Sequence, residues 1–548
     1  MLFNSYGFIF AFVPVTLLVF FRLGAGKHLR AALAWLVAAS LFFYGWWNPV
    51  YLALIAASMV FNYGIGVALS RAHARSASGT GTGTGSVGGG GAASGTGLGS
   101  GAGKAWLVLG VLANLGALGY FKYAGFLVDN ANALLGTTWH LARIVLPLGI
   151  SFFTFQQIAY LVDAHRGEAR EYNFLQYCLF VVYYPQLIAG PIVHHREVLP
   201  QFADPETYRF HANDMAVGIT IFVVGLLKKV VLADGVAEFS TPLFEAAAAG
   251  SVPTLFEAWG GVLAYTFQIY FDFSGYSDMA IGLGRMCGIR LPLNFNSPYK
   301  APNIIEFWRR WHMTLSRFLR DYLYVPLGGN RRGKVRRYVN LMVTMLLGGL
   351  WHGAAWNFLV WGALHGLYLV LNYAWHAVRR AMGHDLTHSG VFGRGLGRVL
   401  TFVAVVVAWV FFRAADFPSA LAVLRGMAGM NGALLPEAAR PALGPLAPAF
   451  SALGVAFGPA RLLQGAREFH WLVALLLVAW FAPSTQEWMA EHRPAIDFDP
   501  ARVPAPAERL RRFVRWQPSA GWALVTAAAA LVVVLHFARV SEFLYYQF

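Results

Sequence analysis

His352 is the side chain in this sequence whose type and surroundings best suit chemistry. It lies among the small residues Gly349, Gly353 and Ala354 in the apolar run 347–365. An imidazole at membrane depth is costly and usually faces a protein interior or a water-filled cavity. The small neighbours leave room for a group to approach the ring, or they let helices pack closely. His352 is therefore either a functional base or a satisfied core histidine.

A second histidine, His312, lies in an aromatic and basic block, residues 291–337, that is too polar for an ordinary membrane span. Tryptophan and arginine at this density are typical of helices that lie at the membrane interface or dip into it. Histidine suits proton removal because its ordinary pKa is near 6.5 and a low-dielectric site favours its neutral form. The alternative for His312 is an interfacial histidine that caps a neighbouring helix.

The same block carries a basic cluster for which two explanations stay open. Guanidinium groups pair well with phosphate, so the cluster can form a mouth for a phosphorylated substrate. Basic residues also anchor the cytoplasmic side of membrane proteins. Both explanations put the block on the cytoplasmic side. The members are Lys300, Arg309, Arg310, Arg317, Arg320, Arg331, Arg332, Lys334, Arg336 and Arg337.

Composition indicates a helical membrane protein with many spans. The 548 residues are 57% hydrophobic and only 12% charged, with 15% aromatic residues, whereas about 25% charge is usual in soluble domains. The formal charge is +16, and the basic residues lie between apolar runs. This position indicates that they set the membrane topology and contact anionic lipid head groups or a phosphorylated substrate, and that they do not bind nucleic acid. Cys178 and Cys287 predict no disulfide framework, and His194 and His195 lack companions for a metal site.

The apolar runs predict roughly 11 to 13 membrane spans in a single domain, residues 1–548. Phe8–Phe21 reads as a retained first span and not a signal peptide. The basic residues that follow it put the N-terminus outside the cytoplasm. Residues 76–103 consist almost entirely of Gly, Ser, Thr and Ala and predict a flexible cytoplasmic linker. Residues 429–463 form a Pro-, Ala- and Gly-rich insertion without a clear pattern.

Two carboxylates, Asp272 and Asp278, fall within the long apolar stretch 255–283. A buried carboxylate needs a cation or hydrogen-bond donors, and we expect the partner to be an arginine of the 309–320 stretch. Arginines precede the last apolar run and one follows it, which predicts that the aromatic end of the chain, Ser541–Phe548, lies outside the cytoplasm.

Several motifs together resemble the membrane-bound O-acyltransferase (MBOAT) family, and more narrowly its bacterial branch of alginate O-acetylation proteins. They are FFYGWWNPVYLAL, LPLGISFFTFQQIAYLVDAHRG, YYPQLIAGPIV, QIYFDFSGYSDMAIGLGRMCGI, EFWRRWHMTLSRFLRDYLYVPLGGNRRG, GGLWHGAAWNFLVWGALHG and the terminal SEFLYYQF. The resemblance extends over nearly the whole chain. It implies an all-α polytopic fold in which spans, interfacial helices and re-entrant helices surround a tunnel.

The resemblance also implies roles for particular residues. His352 would be the catalytic base, and His312 would polarise or orient a carbonyl. Lys300, Arg309, Arg310 and Arg317 would bind the phosphates of the donor, acetyl-CoA, without a tightly bound cofactor or a metal. The terminal motif resembles that of a small partner peptide in teichoic acid D-alanylation, which favours Tyr545 over Tyr546 as an acyl carrier; an aromatic interfacial anchor is the alternative.

The function expected on this basis is a bacterial inner-membrane O-acetyltransferase. It would move acetyl groups from cytosolic acetyl-CoA to an extracytoplasmic polysaccharide, with an alginate-like exopolysaccharide favoured and peptidoglycan or another envelope glycan as alternatives. A separate periplasmic acetyltransferase would be the partner protein, and both termini would be periplasmic. A transporter and a non-enzymatic export scaffold are the alternatives from other classes, and the sequence has no internal repeat typical of transporters.

Overall fold

The computed structural model describes residues 1–79, 101–169, 173–188, 190–385, 390–459, 461–496, 498, 514–537 and 544. The chain forms two compact units. Unit 1 is Met1–Met215 with Gly284–Leu291, and unit 2 is Ala216–Leu283 with Pro292–Phe548. The described residues are helical apart from loops and one small sheet.

Unit 1 is built from helices rich in aromatic and aliphatic side chains. Short π-helical or 3-10 turns continue some of them. Its helices are Phe8–Phe12 (π), Val13–Ala25, Leu29–Gly45, Val50–Gly79, Gly101–Leu118, Gly119–Tyr123 (π), Ala124–Leu135, Ile150–His165, Phe174–Val182, His195–Ala203 and Pro205–Tyr208 (3-10).

Unit 2 holds His312, His352, Asp272 and Asp278. Two helices, Ala212–Leu226 and Leu255–Met286, have most of their residues in it. Its other elements are Leu227–Ala233 (π), Asp234–Ala248, Pro298–Lys300 (3-10), Ile304–Trp308, Met313–Leu319, Arg320–Tyr324 (π), Lys334–His352, Trp356–Ala381, Val391–Arg413, Phe417–Met427, the strands Ala433–Pro436 and Val455–Gly458, Ala439–Leu443, Gly444–Leu446 (3-10), Ala447–Ala452, Ala466–Phe481, Thr485–Trp488, Ala490–His492 (3-10) and Ala520–Leu535.

The prediction of an all-α polytopic membrane protein is confirmed. Six helical stretches among the described residues are long and apolar enough to cross a membrane: Phe8–Ala25, Val50–Arg75, Gly101–Leu135, Ala212–Ala248, Trp356–Ala381 and Val391–Arg413. Leu29–Gly45 and Ala520–Leu535 are shorter apolar helices. Leu255–Met286 has the length but carries buried polar side chains. The larger number of spans, 11 to 13, stays a prediction.

Two stretches predicted to lack regular structure contain more of it than their composition indicates. Helices extend into both ends of the 76–103 linker, to Gly79 and from Gly101, and its interior lies outside the described residues. The 429–463 insertion contains two short strands that pair in parallel, with Ala433 opposite Val455.

Glycines set the distance between the two helices that carry the buried charges of unit 2. Gly225 lies against Gly275, and Gly218 lies against Gly282, at the same seven-residue spacing on both helices. A Cβ at Gly225 would come within 2.6 Å of the Gly275 carbonyl oxygen. Small residues of this kind let helix backbones approach in membranes, where apolar burial alone does not drive association. This contact brings Leu227–Ala233 alongside Leu255–Met286.

The helix Lys334–His352, called here the histidine helix, packs in the same way on the helix that follows it, Trp356–Ala381. A Cβ at Gly349 would collide with the Phe358 carbonyl oxygen, and one at Gly353 would collide with the Phe358 ring. Of the two explanations for the small residues near His352, the structure favours close helix packing at Gly349 and Gly353.

Candidate active site

His352 lies at the C-terminal end of the histidine helix and is buried, with 4% of its surface exposed. Three aromatic rings surround it, with centroid distances of 4.9 Å to Trp351, 5.0 Å to Trp361 and 5.0 Å to Phe412. The rings fix the orientation of the imidazole by packing. His352 is therefore held rigidly in a nearly dry environment, which suits a side chain that must meet a reacting group in one geometry.

His312 is completely buried and is not an interfacial helix cap. It precedes Met313–Leu319, but its side chain makes no capping bond there. Its Nδ1 lies 3.1 Å from Asn294 Oδ1, which also accepts hydrogen bonds from the Thr314 hydroxyl (2.9 Å) and backbone N–H (3.4 Å). Because this oxygen accepts from a backbone N–H, His312 Nδ1 must donate to it. The ring is then the Nδ1–H tautomer.

The tautomer determines what His312 can do. Its Nε2 is buried and has no hydrogen-bond partner among the described residues. Burial also lowers the pKa of His312 to about 3, so the ring is neutral near pH 7. In the neutral Nδ1–H form, Nε2 accepts hydrogen bonds and cannot donate them. The residue therefore suits holding a hydroxyl or N–H group better than polarising a carbonyl, the role that the resemblance implied.

Two tryptophan rings pack between the histidines His312, His352 and His365. Trp351 packs against His312 (centroids 6.1 Å apart) as well as against its neighbour His352. Trp361 packs against His352 and also against His365 (centroids 4.7 Å apart). The 347–365 run contains His365 without marking it as special. It is fully buried and its Nδ1 accepts from Trp308 Nε1 at 3.3 Å, which is a packing and hydrogen-bonding role.

A cavity of about 500 Å³ opens beside His312, a size within the roughly 300–1,000 Å³ of small-molecule sites. Thr314, which shares Asn294 with His312, lies in its wall, and so do Arg309, Arg317 and Arg320. The apolar part of the wall comes from neighbouring helices. The lining residues are Leu293, Ile305, Trp308, Arg309, Met313, Thr314, Ser316, Arg317, Leu319, Arg320, Tyr324, Leu341, Thr344, Met345, Leu369 and Tyr373.

The four predicted phosphate-binding residues separate into two pairs in the structure. Arg309 and Arg317 line the cavity, whereas Lys300 and Arg310 lie outside that lining. The Lys300 ammonium donates to the Ala482 carbonyl at 2.6 Å and lies 3.5 Å from Glu487 Oε2. Burial lowers the pKa of Lys300, while Glu487 acts in the opposite direction. These contacts hold the Lys300 ammonium away from the cavity lining, and phosphate binding by Lys300 stays a prediction.

The expected partners of the buried aspartates were wrong. Asp272 pairs with Lys229 (Oδ1 to Nζ, 2.7 Å), and Asp278 pairs with Lys228 (Oδ2 to Nζ, 2.6 Å). Both lysines lie on the π-helical turn Leu227–Ala233, which the glycine contact brings alongside Leu255–Met286. The arginines of the 309–320 stretch are closer to the aspartates in sequence than the lysines are. Helix packing determines the partners, however, and sequence spacing does not reveal it.

Leu544, four residues before the end of the sequence, also contacts Asp272. Its backbone N–H donates to Asp272 Oδ2 at 3.1 Å, and its side chain is buried. Phe273, the residue after Asp272, packs edge-to-face on the ring of His312, with centroids 4.8 Å apart. Tyr545, the predicted acyl carrier, and Tyr546 lie outside the described residues. Sequence reasoning missed Asn294 and Lys229, which no motif marks as functional.

His194 and His195 belong to unit 1 and contact a carboxylate there. His195 Nε2 lies 3.0 Å from Asp163 Oδ2, and His194 Nδ1 lies 3.6 Å from the same oxygen. Among the residues that the structure describes, no group of three or more His, Cys, Asp or Glu side chains is arranged to hold a metal ion. The pair buries Asp163 in a hydrogen-bonded contact.

Comparison with known proteins identifies the class of molecule. The family model for the membrane-bound O-acyltransferase family, MBOAT, matches residues 137–412. This range contains both buried histidines, the aspartate pairs and the arginine-lined cavity. The chain belongs to the MBOAT family, and it is a multi-pass membrane O-acyltransferase, in place of the transporter and scaffold alternatives.

Individual relatives show which members of the family this chain is similar to. The chain is 44% identical over 462 residues to the peptidoglycan O-acetyltransferase of Helicobacter pylori, which covers 79% of this chain and 81% of the relative. It is 41% identical over 433 residues to the probable alginate O-acetylase AlgI of Pseudomonas aeruginosa, covering 78% and 75%. The teichoic acid D-alanyltransferase of Streptococcus thermophilus is 28% identical over 288 residues, covering 48% and 68%.

Proposed function

We propose that this protein transfers acetyl groups from cytosolic acetyl-CoA, across the bacterial inner membrane, to an extracytoplasmic polysaccharide. The observation that carries the proposal is the pair of buried histidines packed on Trp351, beside a cavity with three arginines in its wall. An alginate-like exopolysaccharide and peptidoglycan are both candidate acceptors, since relatives named for each are similar to this chain to nearly the same degree. The exopolysaccharide stays the favoured acceptor from the sequence.

Acetyl-CoA enters from the cytoplasmic side in this proposal. Arg309 and Arg317 bind its phosphates, and Arg320 is a third cation in the same wall. Arginine suits this task because its planar fork of N–H donors matches phosphate oxygens. The apolar remainder of the cavity accepts the pantetheine arm, which carries the thioester toward His312. Arg310 contributes charge outside the cavity wall.

His352 is the general base for the transfer. It removes the proton of the attacking hydroxyl, whose oxygen forms the new ester bond to the acetyl carbon as the bond from that carbon to sulfur breaks. The proton then passes from His352 to the departing thiolate, so the products are the acetyl ester and free CoA. His312 Nε2 accepts a hydrogen bond from a hydroxyl or amide N–H of the reactants and so holds them in place.

Tyr545 is the proposed first acceptor of the acetyl group. Leu544, the residue before it, bonds to Asp272, which neighbours the ring that packs on His312. This supports a site for the end of the chain close to the histidines. With both termini periplasmic, an acetylated Tyr545 would hand its group to a sugar hydroxyl, with a periplasmic acetyltransferase as the partner that completes the reaction. Membrane lipids surround the helices.

The test of the base compares two histidines that pack on the same tryptophan. His352→Gln should abolish acetyl transfer because glutamine cannot take up the proton, while the protein still accumulates in the membrane. His365→Gln, equally buried against Trp361, should keep most of the activity. The measurement is release of CoA thiol by the purified protein in liposomes, together with the acetyl ester content of the polymers. Wild-type acetylation in His352→Gln would refute the assignment.

The acceptor polymer is identified by a deletion strain. Loss of acetyl esters from secreted polysaccharide, with peptidoglycan esters unchanged, supports the favoured acceptor, and the reverse supports peptidoglycan. Tyr545→Phe, which removes one oxygen and keeps the ring, should abolish polymer acetylation, whereas Tyr546→Phe should have a milder effect. Mass spectrometry of the C-terminal peptide should find acetyl-tyrosine in the wild type. Near-normal acetylation in Tyr545→Phe would show direct transfer to a sugar or partner.

A further inference from the structure

Asp272, near the middle of Leu255–Met286, forms an ion pair and in addition accepts a hydrogen bond from the main chain of Leu544. Asp272 is 1% exposed, and its Oδ1 pairs with Lys229, which lies 2.8 Å from Asp234 Oδ1 as well. The second oxygen, Oδ2, accepts the backbone N–H of Leu544. One lysine thus holds two carboxylates, and one of these binds a segment 272 residues further along the chain.

Asp278 shows what a purely structural pair looks like on the same helix. Its Oδ2 accepts from Lys228 Nζ and from the Thr485 hydroxyl, both at 2.6 Å, and its Oδ1 accepts from Gln486 Nε2 at 2.5 Å. Side chains within the folded body thus engage both oxygens. Asp272 differs because a main-chain group near the end of the protein occupies its second oxygen.

We propose that Asp272, held by Lys229, is a positioning residue that docks the C-terminal segment beside the histidine site. The proposal rests on the proposed function, in which Tyr545 accepts the acetyl group. A backbone N–H is an informative partner because its position fixes the course of the chain whatever the side chain. Because Asp272 pairs with the Lys229 ammonium, its carboxylate accepts a stronger hydrogen bond than a neutral oxygen would.

The turn that carries Lys229 supports a functional role. Leu227–Ala233 is π-helical within an otherwise α-helical span, and such turns are frequent at functional sites because they redirect side chains. Here the turn directs both Lys228 and Lys229 toward the aspartates of the facing helix. Asp272 is followed by Phe273, which packs on His312. Docking at Asp272 therefore holds the segment at the level of the proposed chemistry.

The test measures docking without relying on activity. Trypsin cleavage after Arg539 releases residues 540–548, and the intact mass of the purified full-length protein reports the rate. Asp272→Ala should accelerate cleavage about tenfold or more, the effect expected on losing a hydrogen bond to a charged group. Asp278→Ala, the matched control, removes a buried ion pair with other partners, Lys228, Thr485 and Gln486, so cleavage after Arg539 should stay within about twofold of the wild type.

A second pair of variants tests the hydrogen bond without touching the charged core. Leu544→Pro removes the donor N–H. Leu544→Ala keeps the N–H and loses at least as much of the apolar side chain as the proline variant does. Leu544→Pro should cleave as fast as Asp272→Ala, Leu544→Ala distinctly more slowly, and the double variant Asp272→Ala with Leu544→Pro no faster than either single one. Equal rates for the proline and alanine variants, or for the two aspartate variants, would overturn docking.

Acetylation then separates this inference from the proposed function. Asp272→Ala and Leu544→Pro should lose acetyl-Tyr545 and polymer acetylation, while Leu544→Ala should keep both in part. Released tails with normal polymer acetylation would overturn the positioning role. A docked tail in the wild type that never carries acetyl-tyrosine would instead refute Tyr545 as acceptor, while the cleavage rates would still confirm docking by Asp272.

Discussion

Asn294 determines which ring nitrogen of His312 carries the proton, and changing it tests how that histidine works. Asn294→Leu removes the acceptor for His312 Nδ1 and for the Thr314 hydroxyl, both of which are buried. Each unsatisfied group costs about 1–3 kcal/mol, so the protein should lose about 2–6 kcal/mol of stability. The Nδ1–H tautomer is no longer enforced, and we expect the turnover number to fall about 10- to 100-fold.

Asn294→Asp keeps the acceptor and adds a negative charge next to the ring. An opposite charge at hydrogen-bond distance raises a histidine pKa, which here moves from about 3 to between about 4 and 6. The imidazolium form has no acceptor nitrogen. If activity needs neutral His312, the acid limb of the pH–rate profile must therefore move to higher pH in this variant, while activity above pH 7 is retained.

The assay is CoA release from acetyl-CoA by protein in liposomes between pH 4 and 8 (roughly the span in which a perturbed histidine titrates), with thermal unfolding measured on the same samples. Asn340→Leu is a useful control because Asn340 is also buried but donates to the Leu327 and Gly329 carbonyls instead. Higher activity of Asn294→Asp at low pH would show that His312 acts as a donor and would refute its role as an acceptor.

Three further predictions concern the cavity, the helix contacts and the linker. Arg317→Gln should raise the KM for acetyl-CoA about 10-fold or more, whereas Lys300→Gln should mainly lower the melting temperature, as activity titrations and thermal unfolding would show; equal KM effects would contradict this division. Gly349→Leu should abolish activity and stable accumulation on immunoblots, because its side chain meets the Phe358 carbonyl, while Gly116→Leu, with open space around it, should accumulate normally. Replacing residues 80–100 by a short polar linker should leave acetylation unchanged, and loss of polymer esters would reveal a function there.

The fold class and the principal histidines could be predicted from the sequence because both leave local signals. Apolar runs of spanning length reveal membrane helices wherever they occur. His352 stands out because polar side chains are rare in an apolar run, whereas His312 was marked by the family resemblance of its motif. The match of motifs along the chain gave the family, which the comparisons confirmed.

The partners of these residues could not be predicted because they depend on helix packing. Lys229 and Asp272 lie on different helical segments, Leu227–Ala233 and Leu255–Met286. The glycine contact between the two helices brings these side chains together. Asn294 is an ordinary residue in sequence, and its value lies in accepting from three donors at once. Arg310 and Arg309 are adjacent, yet only Arg309 reaches the cavity, since consecutive residues point in different directions around a helical turn.

The lysine–aspartate pairs also bear on how the protein enters the membrane during synthesis. Lys228 and Lys229 lie inside the span Ala212–Ala248, which is synthesised before Asp272 and Asp278. A lysine at the centre of a nascent span costs roughly 2.5–3.5 kcal/mol on insertion scales. Asp234, in the same span, offsets the charge of Lys229, whereas Asp278, the partner of Lys228, arrives only with the next helix. We expect the translocon to release these two helices into lipid as a hairpin, so the chain order of the charges becomes part of the protein's biogenesis.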